Sequence, residues 1–135
     1  MGASTVEITE QNFESQVLKD SGIVLLDWWA SWCGPCRAFA PIYDRVAAKN
    51  PDITFGKVDT QAQPRLAGEF DIQSIPTLMV FRDKVLLFSQ AGMLPEAALD
   101  DLIRQVRALD MDDVRKQIAQ SKSAPAGTTQ VEGRA

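Results

Sequence analysis

Cys33 and Cys36 are the only cysteines of this chain, they stand three positions apart, and there is no histidine. Two cysteines cannot make the disulfide framework of a small secreted protein. A structural zinc site normally takes four ligands, and here only two thiolates and no imidazole are on offer. A Cys–His catalytic pair is excluded by composition. A close Cys pair of this kind leaves redox chemistry or an inert structural role. The residues between and before it are informative. Gly34 admits a tight turn, Pro35 stiffens it, and Trp32 precedes the pair. A bare C-x-x-C would also suit two buried structural cysteines or half of a zinc site, and Trp32 and Gly34-Pro35 argue against both.

The elements needed to position this pair can be read on either side of it. Residues 23–26, Ile-Val-Leu-Leu, form an apolar run expected of a strand buried on both faces. A helical pattern starts at the cysteine motif, with Phe39, Ile42 and Val46 on one face and Pro41 expected to kink it. Cys33 therefore falls at a helix N-terminus, where unpaired N–H groups and the helix dipole favour a thiolate, which is the nucleophilic form. One turn separates Cys33 from Cys36, so their sulfurs can close a small ring.

Elsewhere, residues 5–9 read as a first strand, and Thr9 as the cap of a helix through Phe13, Val17 and Leu18 that Gly22 ends. A third strand is expected at 53–59 and a short helix at 62–70. Residues 78–81 and 85–88 read as a hairpin around Arg82-Asp83-Lys84. Pro95 opens a helix with Leu99, Leu102, Ile103 and Val106 inward. A weak helix is expected at 111–120, then a polar tail. The order βαβαβαββα predicts an α/β fold with a central mixed five-stranded sheet flanked by helices. The expected division is a domain at 1–109, a short helical extension at 110–121 and a disordered tail at 122–135.

The 135 residues carry 14 basic and 18 acidic side chains, a net charge of −4. A mildly acidic chain gains little from a phosphate backbone, so nucleic acid is not an expected partner. No apolar run reaches the length of a membrane span. Residues 1–11 lack a basic start, an apolar stretch and a small-residue cleavage site, which makes the cytoplasm the expected location. No dinucleotide-binding glycine motif occurs, so no bound nucleotide cofactor is expected.

From about Val6 to Leu109 the sequence resembles the thioredoxin family. The resemblance is carried by Asp27 six residues before Cys33, Trp29, the Trp32-Cys33-Gly34-Pro35-Cys36 motif, Pro41, Lys57, Ile75-Pro76-Thr77 and Gly92. Phe39-Ala40-Pro41-Ile42 and the stretch Ile72 to Thr77 are most similar to bacterial thioredoxins of the second type. Those usually carry an N-terminal zinc ribbon, whose cysteines this chain lacks, and no metal ligand set is expected. The resemblance implies a thioredoxin fold and a protein-disulfide reductase with Cys33 and Cys36 as the redox-active disulfide. It implies roles in electron transport and cell redox homeostasis, with NADPH supplying electrons through thioredoxin reductase. Disulfide-containing proteins and that reductase are the implied partners, and the chain is expected to be monomeric.

The family match also assigns roles. Asp27 would be general acid/base for Cys36, with Lys57 near it. An acid at the end of an apolar strand is costly to bury as an anion and should tend to stay protonated. The Ile75–Pro76 bond would be cis and face Cys33, with the Ile75 backbone pairing to the substrate chain. Trp32, Gly34, Pro35, Ile75, Pro76 and Gly92 would form the substrate-contacting rim. Trp29 would pack near the site, and Trp28 is left open between core and site. Asp71 and Ser74 depart from glycines common in the family, and Asp83-Lys84 replaces a more usual Asn-Gly, which suggests a longer or looser turn. Two rivals remain at this point: a binding or chaperone module of the same fold, and a disulfide oxidase or isomerase. Gly-Pro between the cysteines favours the reductant, since oxidants tend to carry histidine there.

Overall fold

A computed structural model describes residues 4–123. Five strands form one mixed sheet in the order β1-β3-β2-β4-β5. They are β1 (Thr5–Glu7), β2 (Ile23–Trp29), β3 (Thr54–Asp59), β4 (Thr77–Arg82) and β5 (Val85–Ala91). β1, β3 and β2 run parallel, while β4 is antiparallel to both β2 and β5. Helices α1 (Phe13–Val17), α2 (Gly34–Lys49), α3 (Pro64–Glu69), α4 (Glu96–Ala108) and α5 (Met111–Ser123) complete the described chain. The expected α/β architecture with a central five-stranded sheet flanked by helices is what the chain adopts.

β2 lies at the centre of the sheet, which explains its apolar run. Its alternate residues serve two cores. Ile23 and Leu25 pack with Phe39, Tyr43 and Val46 of α2 and with Leu99, Ile103 and Val106 of α4. Val24, Leu26 and Trp28 pack on the opposite face with Phe13, Val17 and Leu66. The side-chain period of two puts Asp27 on the α2 side, in line with Ile23 and Leu25.

Gly56 lies on β3 between Val6 of β1 and Leu26 of β2. A Cβ there would lie 2.6 Å from Cγ1 of Ile8 and 2.9 Å from Cδ2 of Leu26. Both neighbours are fully buried, so neither can swing away cheaply. Gly56→Ala is therefore expected to cost about 1–3 kcal/mol and to lower Tm by roughly 5–10 °C in calorimetry. An unchanged Tm would mean the strands can part at this point without loss.

Several local expectations need correction. Thr9 does not cap α1: it closes a turn with Asn12, whose backbone N–H donates to Thr9 Oγ1 at 3.2 Å while the Thr9 N–H donates to Asn12 Oδ1 at 2.7 Å. α1 then covers five residues, and Gly22, at φ +105°, introduces β2 instead of ending the helix. The β4–β5 turn is not loose. Asp83 and Lys84 both take positive φ, 53° and 73°, giving a two-residue turn that matches the twist of the hairpin. Asp83 stabilises this turn by accepting the Gly22 N–H at 2.9 Å. Asp71, in a position where glycine is common, also has a positive φ of 52°. α2 continues through Pro41 to Lys49; Phe39 and Val46 are buried as expected, Ile42 is half-buried, and the fully buried Tyr43 joins them on that face. α5 reaches Ser123, beyond the expected boundary at 121, with Met111 buried at its start. The rest of the expected tail, 124–135, lies outside the described residues.

Candidate active site

The cysteine motif occupies the step from β2 into α2. Cys33 is the N-cap of α2, with extended backbone angles of φ −86° and ψ 115°. Its Sγ accepts the backbone N–H of Cys36 at 3.2 Å, the place a capping oxygen usually takes. Gly34 and Pro35 are the first helical residues, where a missing N–H leaves no bond broken. The N–H of Cys33 donates to the Ala30 carbonyl at 3.2 Å, and Arg37 Nη1 donates to the Ser31 carbonyl at 2.9 Å, fixing the loop from both sides. Cys33 and Cys36 are disulfide-bonded.

In this oxidised form both cysteines are buried to the same degree. Cys33 is 4% exposed and Cys36 3%. The two differ instead in polar surroundings, because it is the Cys33 sulfur that accepts a hydrogen bond at the positive end of the helix.

The loop before β4 forms the other wall. The Ile75–Pro76 peptide bond is cis, as the family resemblance implies. The Ile75 carbonyl oxygen lies 3.7 Å from Cys33 Sγ. The Pro76 carbonyl accepts the N–H of Gly92 at 2.8 Å, and Gly92 has φ +98°, a left-handed conformation that a side chain would strain. Trp32, Gly34, Pro35 and Gly92 are exposed around the disulfide, Ile75 is half-buried, and Pro76 is buried. Trp32 is 64% exposed, the largest exposure among the big apolar side chains of the described residues.

Asp27 lies below this surface. It is 1% exposed, and neither carboxyl oxygen has a hydrogen-bond partner. Burial pushes the Asp27 carboxyl up to about 7; Lys57 pulls it down and Asp44 adds to the rise. Lys57 is its register neighbour on β3 and is itself buried, with Nζ 5.1 Å from the centre of the Trp29 ring. Trp29 therefore packs against the charged group of the site. Trp28 belongs to the opposite core, its ring 5.5 Å from that of Phe70.

Two neighbours of Asp27 escape a reading of sequence alone. Tyr43 is fully buried, donates its hydroxyl to the Gly56 carbonyl at 2.8 Å, and is held well above the usual phenol range by burial and by Asp27 and Asp44. Asp44 has an enclosed Oδ1 with no partner. The signal for both is their spacing of seven and eight residues after Cys36, which returns them to the same side of the helix.

The thioredoxin family model matches residues 4–105. The chain belongs to the thioredoxin family. A Streptomyces coelicolor protein assigned as a thioredoxin 2 is 57% identical over 120 residues, covering 89% of each chain. Thioredoxin C-3 of Corynebacterium nephridii is 39% identical over 74% of this chain and 69% of its own. Thioredoxin 1 of Synechococcus elongatus is 41% identical over 68% of this chain and 87% of its own. With the paired cysteines at the head of α2, this thioredoxin is a thiol–disulfide oxidoreductase that reduces protein disulfides by dithiol–disulfide exchange through Cys33 and Cys36. Thioredoxins need no bound cofactor, and NADPH acting through thioredoxin reductase is the family's usual electron source. No cluster of three or more metal-ligating side chains occurs among the described residues. No described helix is long and apolar enough to cross a membrane.

Proposed function

We propose that Cys33 is the attacking sulfur, Cys36 the resolving one, and Asp27 the group that takes the Cys36 proton. The observation that carries this reading is the capping hydrogen bond from Cys36 N–H to Cys33 Sγ, on the helix that packs over an enclosed Asp27 with free oxygens. A sulfur at that cap gains from ionising, because the bond to an anion is stronger and the helix dipole has the favourable sign. In the dithiol form, the Cys33 thiolate attacks one sulfur of a substrate disulfide. That S–S bond breaks and the departing substrate thiolate is protonated. Cys36 gives its proton to the Asp27 carboxylate and attacks Cys33 Sγ, which releases the second substrate thiolate. Two electrons pass from the cysteine pair to the substrate, and the Cys33–Cys36 bond is the oxidised product.

The remaining roles follow the same geometry. Lys57 opposes the cost of ionising Asp27 and keeps it able to accept a proton. Trp32, Gly34, Pro35, Ile75, Pro76 and Gly92 supply the surface on which an extended substrate segment lies, with the Ile75 backbone as its pairing edge. The proposed setting is the cytoplasm, where the protein works as a monomer in electron transport and redox homeostasis. A thioredoxin reductase would return the pair to the dithiol using NADPH, and disulfide-containing proteins would be the substrates.

The test is NADPH oxidation in a mixture of this protein, a bacterial thioredoxin reductase and a disulfide substrate. Turnover that requires all three components, and that Cys33→Ser removes, is the expected result. Efficient reduction by dithiothreitol together with no turnover by the reductase would overturn the partner assignment.

A further inference from the structure

Asp27 is flanked by charge from two elements. Lys57 faces it from β3. From α2 come Tyr43, Asp44 and, at the head of the helix, Cys36. Cys36, Ala40 and Asp44 form one i, i+4 row, with a small residue between the thiol and the acid. The buried residues that β4 and α4 bring to this face are apolar: Leu78, Val80, Leu99 and Ile103. The Tyr43 hydroxyl is committed to the Gly56 carbonyl at 2.8 Å. Asp44 is half-buried, and its enclosed Oδ1 is without a hydrogen-bond partner, as are both oxygens of Asp27.

An enclosed, unpartnered carboxylate oxygen is unfavourable by about 1–3 kcal/mol and calls for a reason. Here a reason is available in its neighbour. A carboxylate close to a buried acid disfavours the charged form of that acid. Asp44 acts on Asp27 in that sense, against Lys57.

We propose that Asp44 is a positioning residue for the resolving half-reaction: its carboxylate sets the pH range in which Asp27 accepts the Cys36 proton. Lys57 and Asp44 are thus opposed controls on one buried acid. This rests on the reading of Asp27 as the base for Cys36.

The test follows release of substrate from the Cys33 mixed disulfide as a function of pH. It compares the wild type with Asp44→Asn, Asp44→Glu, Asp27→Asn and the double Asp27→Asn/Asp44→Asn variant. Asp44→Asn is expected to move the midpoint of the Asp27-dependent limb to lower pH, by about half a unit. Asp44→Glu keeps the charge and should keep the wild-type midpoint. Added to Asp27→Asn, the Asp44→Asn change should do nothing further, because its target is gone. A midpoint unmoved by Asp44→Asn while Asp27→Asn abolishes the limb would overturn the proposal and leave the role of Asp27 intact. A shift of the same size in Asp44→Glu, or one that persists in the double variant, would also overturn it. A limb that survives Asp27→Asn would remove the base assignment and this proposal together.

Discussion

Replacing Cys36 with serine is expected to turn the protein from a catalyst into a trap. The variant keeps the Cys33 sulfur at the α2 cap, where the backbone N–H of residue 36 still reaches it. Attack on a substrate disulfide therefore survives. The second step does not, since serine oxygen cannot displace a thiolate from sulfur to form a disulfide. Mixed disulfides through Cys33 should build up in lysate, appear on a non-reducing gel and vanish with dithiothreitol. Cys33→Ser should abolish disulfide reduction and trap nothing. Iodoacetamide on the reduced wild type should modify Cys33 first. The reason is its hydrogen-bonded place at the helix N-terminus, given that Cys33 and Cys36 are equally enclosed in the oxidised form, 4% and 3% exposed. Faster alkylation of Cys36, or trapping by Cys33→Ser in place of Cys36→Ser, would reverse the roles.

The second large effect is on stability. Asp27 has an ordinary value of 3.8 that burial raises to about 7 in the folded protein. Between those values the folded state binds more protons than the unfolded chain, so stability falls as pH rises and levels off above the folded value. At 1.36 kcal/mol per unit the full displacement corresponds to roughly 4 kcal/mol. Asp27→Asn removes the ionisation but leaves a buried amide, so its gain should be smaller, roughly 1–3 kcal/mol at about pH 8. The gain should shrink toward pH 4 as the folded wild-type carboxyl takes up its proton and the unfolded one begins to. Denaturant unfolding of both proteins from about pH 5 to about pH 8 measures this directly, and parallel curves would contradict it. The same variant should reduce disulfides more slowly near neutral pH, by about tenfold or more, because Cys36 loses its base. A more stable and less active Asp27→Asn variant would mark a group kept for chemistry at the expense of the fold.

Much of this site is legible in the amino-acid sequence, for identifiable reasons. A central strand buried on both faces must be apolar throughout, so Asp27 at the end of such a run stands out. The cysteine motif carries its own turn chemistry in Gly34 and Pro35, and Ile75-Pro76 marks the facing loop. What stays hidden depends on rotation and twist. The inward face of α2 drawn through Phe39, Ile42 and Val46 is the one that packs on the sheet, but it leaves out Tyr43, whose polar hydroxyl does not mark it as a core residue, and with it the neighbouring Asp44. The Asp83-Lys84 turn reads as loose because it has no glycine, yet the hairpin twist holds both residues at positive φ. Thr9 has the right side chain for a cap, and Asn12 uses it to close a turn instead. The contact between Gly56 and the Tyr43 hydroxyl joins a strand to a helix 13 positions away, which no local pattern reports.

The central claim is that the Cys33–Cys36 pair passes electrons to protein disulfides with turnover. Reduction of insulin by dithiothreitol, followed as the turbidity of the released B chain, tests it most directly. Substoichiometric wild-type protein should bring on precipitation far sooner than dithiothreitol alone, and neither Cys33→Ser nor Cys36→Ser should do so. A wild-type trace that coincides with dithiothreitol alone would contradict the claim and leave a binding module built on the same fold.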